Sequence, residues 1–281
     1  MQQDELSPRD FTRLSGFIYG QLGIKMPESK KCMLTGRLGK RLRVLELQNF
    51  REYCEYLFSD QGMQEELVHL IDAVTTNKTD FFREPGHFDY LVNTALPTMQ
   101  ILNRGRYRKK WRVWSAGCST GEEPYTLAMV LSEYQEMMQG FSFEILATDV
   151  ARRVLQVASR AVYPVERITP VSSRYRKKYF LRGKGSRNGE VRVNKQLRHR
   201  VSFGHLNFMD EDFGLPNMVD VIFCRNVIIY FDKQTQEKLM HKFYRYLNPG
   251  GYLFLGHSES LQGHQTPLIQ VAPTVYRRSE Q

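Results

Sequence analysis

The residues best placed to do chemistry lie between Arg112 and Tyr125, RVWSAGCSTGEEPY, and at Asp149. Apolar Val113 and Trp114 give way to small residues from Ser115 to Gly121. Two carboxylates, Glu122 and Glu123, then open an apolar, helix-like stretch from Tyr125 to Tyr134. A second strand-like segment, Phe143 to Ala147, runs on to an acid, Asp149. Strand, glycine turn, helix and a second strand ending in an acid make a nucleoside site at the edge of an α/β sheet. The acid accepts hydrogen bonds from ribose hydroxyls, and the glycines let backbone approach the ligand.

The turn AGCSTGEEP lacks the full G-x-G-x-x-G pattern, and no G-x-x-x-x-G-K-[ST] occurs in the chain. Glu122 and Glu123 would repel a pyrophosphate and favour a cation. S-adenosyl-L-methionine carries no phosphate but has a sulfonium and an amino group, so this turn favours it over a dinucleotide. The segment LNPGGYLFLG (Leu247 to Gly256) is a helix stop, a Pro-Gly-Gly turn and a new strand. That turn, and an acid ending the second strand, are frequent in class I S-adenosylmethionine-dependent methyltransferases. The expected fold class is therefore α/β, with a Rossmann-like methyltransferase domain. The four cysteines form no CxxC pair and the histidines no HxxxH pair, so no metal is expected.

The elements that must position these groups follow from periodicity. Phe11 to about Asp72 is helical, with Leu34, Leu38, Leu42 and Leu45 on one face of a helix and Arg37, Lys40 and Arg41 on another. Further helices are expected over Phe50–Phe58, Met63–Val74, Phe88–Met99 and Gln234–Leu247. VDVIFCRNVIIYF (Val219 to Phe231) reads as a continuous apolar strand, buried on both faces, that stops at Cys224-Arg225-Asn226. GEVRV (Gly189 to Val193) and RVSF (Arg200 to Phe203) alternate like strands of a small antiparallel β insertion. Val271 to Tyr276 reads as a short final strand. The domains expected are a helical unit over 1–75, a linker and helix over 76–111, and the methyltransferase domain over 112–281 with its β insertion at about 175–203.

The 281 residues carry a net charge of +10. Fifteen basic residues stand against two acids from Arg152 to Arg200, seven against one from Lys25 to Arg43, and six against none from Arg104 to Arg112. Such clusters are either solvated surface or docking sites for an acidic partner. No apolar run approaches the ~18 residues of a membrane span. The polar, acid-bearing start MQQDELSPRD does not read as a secretory signal. Scattered cysteines are expected to be reduced thiols in the cytoplasm.

Four ordered segments narrow the reading: TTNKTDFFRE (Thr75 to Glu84), WSAGCSTGEEPY (Trp114 to Tyr125), FCRNVIIYFD (Phe223 to Asp232) and GHSES (Gly256 to Ser260). Together they resemble CheR-type chemotaxis receptor methyltransferases, and the resemblance covers almost the whole chain. Gly117 and Cys118 stand where many relatives place alanines. The resemblance implies methylation of glutamate side chains on chemoreceptors, giving glutamyl methyl esters by in-line displacement. It implies that Asn77, Thr79 and Arg83 contact the cofactor, Glu123 its cationic methionine end and Asp149 its ribose. Asn207 and Phe208 would lie beside the adenine, and Cys224 and Arg225 below the cofactor. Tyr230 and Arg83 would stand nearest the reacting carboxylate. The Arg37, Lys40, Arg41 face would dock a glutamate-rich receptor helix. In some relatives the β insertion binds a receptor C-terminal pentapeptide by strand addition, and Gly183 to Val193 has a compatible length. A monomer is expected.

The same residues have plainer uses. Phe81, Phe82 and Phe88 suit a core, and Asn77 and Thr79 can cap a turn. Cys224 can contribute only backbone, Tyr230 only packing, and Arg225 can pair with a structural acid. Two other functions also fit the fold and charge: a nucleic-acid methyltransferase and a non-catalytic cofactor-binding module. Against the first, the chain holds no N/D-P-P-[YFW] segment, and no nucleic-acid partner is expected.

Overall fold

The computed structural model describes residues 5–102 and 110–280. The first part is five helices: α1 (Pro8–Leu22), α2 (Lys31–Val44), α3 (Phe50–Leu57), α4 (Asp60–Glu65) and α5 (Leu67–Val74). Their ends are set by local chemistry. The Ser7 hydroxyl accepts from the Asp10 amide at the start of α1, and Gly23 ends it at φ 69°. Asn49 Oδ1 accepts from the Glu52 amide at the start of α3, and the Glu52 carboxylate accepts from the Gln48 amide and from Asn49 Nδ2. Leu34, Leu38 and Leu42 pack with Leu14, Ile18 and Tyr53 in a core of their own. The helix expected over Met63–Val74 is instead two helices meeting at Glu66, whose buried carboxylate is drawn to Arg41 and Tyr53.

Next, α6 (Gly86–Tyr90) continues through a π-helical turn into α7 (Leu96–Leu102). Most of the basic run Arg104 to Arg112 lies outside the described residues. The remaining elements are β1 (Trp111–Ala116), α8 (Glu122–Met137), β2 (Phe143–Asp149), α9 (Arg152–Arg160), β3 (Val162–Pro164), α10 (Ser173–Tyr179), β4 (Phe180–Arg182), β5 (Glu190–Val193), α11 (Lys195–Arg198), β6 (Val201–His205), β7 (Val219–Cys224), α12 (Lys233–Tyr246), β8 (Leu247–Leu255), β9 (Ile269–Ala272) and β10 (Val275–Arg277).

The main sheet runs β6-β2-β1-β7-β8-β10-β9. Its first five strands are parallel, and β10 and β9 add antiparallel. Every residue of β7 is buried, as a parallel strand covered on both faces requires. The chain builds outward from β1 through β2 to β6, then returns to lay β7 on the other side. Strand order therefore reverses beside β1, and the carboxyl edge there is where such sheets open a ligand crevice.

Two expectations need correction. The β insertion is the sheet β3-β5-β4, which spans Val162 to Val193 rather than 175–203. RVSF lies not in it but in β6 of the main sheet, with Val201 opposite Ile145 and His205 opposite Asp149. Alternation gives a strand but not its partner, and this one is claimed by an edge of β2. Val271 to Tyr276 is not one strand but the hairpin of β9 and β10, turning at Pro273 and Thr274, the latter at φ 57°.

Candidate active site

A cleft of about 910 Å³, counting its solvent-open mouth, sits over the carboxyl ends of the parallel strands. Gly117 and Ser119 follow β1, Asp149 and Val150 end β2, Leu206 to Phe208 follow β6, and Arg225 to Val227 follow β7. Residues from Thr75 to Arg83, together with Leu22 at the end of α1 and Ile24 just after it, cover the other side. At Gly117 the backbone has φ 86° and a Cβ would meet the Val227 side chain at 2.7 Å, so an alanine in that place requires Val227 to shift.

The two acids of the turn do different work. Both oxygens of Glu122 are taken, one by the Arg167 guanidinium and one by the Thr120 hydroxyl, and its side chain is buried away from the cleft. Glu123 lines the cleft, and its oxygens accept from the Ser115 hydroxyl at 2.7 Å and from Arg225 Nε at 2.7 Å. Arg225 also donates to the Arg83 carbonyl at 2.7 Å and lies over the Phe88 and Phe223 rings. The cations that the acid-rich turn favours are thus in part the chain's own. One Glu123–Arg225 ion pair facing a cleft still presents an acceptor and a donor side by side.

Asp149 is buried and accepts from the amides of Ser119 (2.8 Å) and Ala151 (2.9 Å). Burial raises its pKa, against the pull of those amides. Glu259 organises the loop after β7. Its carboxylate accepts from the amides of Gly256, Asn226, Val227 and Ile229 at 2.6–3.4 Å. Burial raises the pKa of Glu259 too, opposed by those four amides. Behind the cleft, the His87 ring is held neutral, its pKa lowered to about 4 by burial and then by the Arg225 charge. Its Nδ1 faces Arg225 Nη1 at 3.3 Å and Nε2 faces the Thr274 hydroxyl at 2.8 Å, so the neutral ring carries its proton on Nε2. Glu84, His87 and His257 bring donor atoms within 4.8 Å of one another. A cation there would face the Arg225 guanidinium, which already occupies His87 Nδ1.

Of the residues expected at a site, Asn77, Thr79, Arg83, Glu123, Asp149, Asn207, Phe208, Arg225 and Tyr230 all line this cleft. Cys224 does not. Its side chain is fully buried in the core on the α12 side of the sheet, where burial pushes the thiol pKa well up. Arg37, Lys40 and Arg41 line a neighbouring groove with His69, Asp72 and Arg153. Arg37 and Arg41 are already committed inside the helical domain. Arg37 donates to the carbonyls that end α5, and Arg41 forms a bidentate pair with Glu66. Phe81 and Phe88 are core, as the plainer use of aromatics has it. Sequence reasoning missed Arg167, Glu259, Leu22 and Ile24. Only Glu259 carried a signal, through GHSES.

The family model described as CheR methyltransferase, all-alpha domain, matches residues 9–75, and the CheR methyltransferase, SAM binding domain, matches 77–277. The chain belongs to the CheR methyltransferase family. It is 41% identical to a chemotaxis protein methyltransferase of Borreliella burgdorferi, covering 99% of this chain and 95% of that one. It is 39% identical to chemotaxis protein methyltransferase 2 of Pseudomonas aeruginosa (98% and 95%) and 37% to a chemotaxis protein methyltransferase of Salmonella typhimurium (99% and 93%). The cofactor of this CheR chain is S-adenosylmethionine, and the cleft suits it. A buried acid at the end of β2 fits ribose hydroxyls, and the Glu123–Arg225 pair fits a zwitterionic amino-acid end. Among the described residues, no helix is long and apolar enough to cross a membrane.

Proposed function

We propose that this chain methylates glutamate side-chain carboxylates on chemotaxis receptors, forming glutamyl methyl esters. The observation that carries the reading is the composition of the cleft. Arg83, Lys78 and Arg225 line it, and among the described residues no histidine or cysteine does. Methylating an amine or a hydroxyl requires a proton to leave. A glutamate, with an ordinary pKa of roughly 4.3, arrives ionised and needs no general base. The cleft's two carboxylates are already engaged, Glu123 by Ser115 and Arg225 and Asp149 by two amides, and basic side chains with no free base suit such an acceptor.

Bound S-adenosylmethionine supplies an electrophilic methyl carbon. The chain's residues supply position and dryness. Asp149, Asn77, Thr79, Asn207 and Phe208 hold the cofactor, while Glu123 and Arg225 take its amino-acid end. Arg83 orients the acceptor carboxylate, and Tyr230 offers it a weaker hydrogen bond that leaves it nucleophilic. Alignment of this kind is worth about 7–11 kcal/mol in well-oriented systems. The reaction consumes charge, so excluding water favours it; Leu22 and Ile24 do this from the helical domain.

The groove bearing Lys40 adjoins the cleft, sharing Thr75 and Asn77 with it, and offers an acidic receptor helix a path to Arg83. The small sheet presents Arg160, Arg182, Arg187 and Arg192 beside the exposed edge strand β4, which suits strand addition of an acidic receptor tail. We place the protein in the cytoplasm as a monomer, where its four free cysteines suit a reducing medium. The test is transfer of labelled methyl to receptor cytoplasmic fragments, RNA and DNA in parallel. Label on receptor alone is expected, and label on RNA or DNA alone would overturn the reading.

A further inference from the structure

Two guanidinium groups grip the segment Asn77–Glu84 from its two ends, and only one of them belongs to the cleft. Arg225 lines the cleft and donates to the Arg83 carbonyl. Arg167 does not line it. Arg167 stands in the 3₁₀ turn Val165–Ile168, directly after β3 of the small sheet. Its Nη2 reaches both the Thr79 carbonyl and Glu122, and its Nη1 reaches Asp80 at 3.1 Å. Ahead of the first grip the Ser119 hydroxyl donates to the Asn77 carbonyl, and between the two the Phe82 amide donates to the Thr126 hydroxyl.

The segment needs this hold. Phe82 and Glu84 both sit at φ 55°, a left-handed conformation that side chains other than glycine rarely adopt. Each grip is neutralised by one of the paired acids: Glu122 under Arg167, Glu123 under Arg225. A lysine at 167 offers a single nitrogen, whereas the planar fork of arginine spreads two, Nη2 on Thr79 and Glu122 and Nη1 on Asp80, and holds all three acceptors in register.

We propose that Arg167 is a positioning residue for methyl transfer: anchored on Glu122, it fixes the Thr79 backbone, and so the approach of Arg83, and ties the small sheet to the cleft. This rests on the reading of Thr79 and Arg83 as ligand-facing groups. It makes the second acid of the pair a ligand group and the first a foundation.

The test uses the full chain with Arg167→Lys, and separately with Arg167→Met plus Glu122→Gln, which leaves no buried carboxylate unpaired. Neither readout depends on turnover. Hydrogen exchange at the Phe82 and Arg83 amides should quicken about tenfold or more, with β1, β2 and α8 unchanged. The Kd for S-adenosylhomocysteine, by calorimetry, should weaken about tenfold in Arg167→Lys but less than about twofold when the same change is made on Arg83→Ala. Unchanged exchange at Phe82 and Arg83 in both variants, quickened exchange across the whole sheet, or equal affinity losses in both backgrounds would each overturn the proposal. If Arg83→Ala alone leaves that Kd unchanged, the ligand-facing role of Arg83 fails, and the exchange data still decide the grip.

Discussion

The cleft has two unlike walls. On the sheet side, each functional side chain is pinned by backbone amides or by a buried partner: Asp149 by Ser119 and Ala151, Glu259 by four amides, Glu123 by Ser115 and Arg225. The helical part of the facing wall, with Leu22 and Ile24, meets the sheet domain through the packing of Val150, Tyr230 and Phe231 and a few polar contacts. Tyr19 donates to Asp232 at 2.6 Å, Asn207 to the Gln21 carbonyl at 2.7 Å, and the Lys25 amide to the Tyr230 carbonyl at 2.9 Å. The sheet wall is over-determined, and the helical part of the other, unlike its gripped Asn77–Glu84 segment, is lightly latched. A rigid wall suits holding a cofactor, and a light latch suits a face that must admit a bulky protein acceptor.

Substitutions should separate the walls. The largest effect is expected from Arg83→Ala, a lowering of kcat by about 10²–10³-fold, because it removes a fixed charge from the reacting centre. Melting temperature should hold, and near-normal turnover at saturating cofactor would remove Arg83 from the chemistry. Next is Asp149→Ala on the sheet wall, which should weaken cofactor binding about 10–100-fold in calorimetry and also lower stability, since two buried amides lose their acceptor. An affinity change without a stability change would mean this wall is less braced than its hydrogen bonds imply.

Smaller effects are expected further out. Lys40→Glu should raise acceptor KM about three- to tenfold, less at high salt, with cofactor Kd unchanged. Lys40 is the clean probe of the groove, because Arg41 supports a buried pair whose loss costs about 3–5 kcal/mol in its own right. A fall in cofactor affinity alone would count against docking there. The smallest effect is a pH dependence behind the sheet wall. An unfolded histidine titrates near 6.5, but His87 in the fold resists protonation down to about 4. The stability from its neutral ring is therefore complete above that unfolded value and is lost as pH falls through it toward the folded one. Wild type should lose more melting temperature than His87→Gln between about pH 7 and about pH 5. Parallel slopes would show that His87 is not held neutral.

The sheet wall was legible in the sequence because its signals are local. Gly117 to Glu123 and Asp149 each declare a strand end within a few residues, and β7, apolar but for Asp220, declares a covered parallel sheet. The family motifs added Thr75 to Glu84 to the site. The rest depended on contacts that no local pattern encodes. Arg167 is one of fifteen basic residues between Arg152 and Arg200 and looks like the others. Leu22 and Ile24 fall unmarked in the stretch Phe11 to about Asp72 that reads as helical, and only the approach of two domains makes them a roof. RVSF alternates like any strand, but β2 rather than the insertion offered it an edge. The acids of the turn gave the right sign of charge, but part of the answering charge came from arginines dozens of residues away.

The most direct measurement offers labelled S-adenosylmethionine to two versions of one receptor cytoplasmic fragment, one with its glutamates intact and one with glutamine in their place. The predicted result is label on the first alone, released as methanol by mild base, and absent with Arg83→Ala. Base-stable label, or equal label on both fragments, would contradict carboxylate methylation.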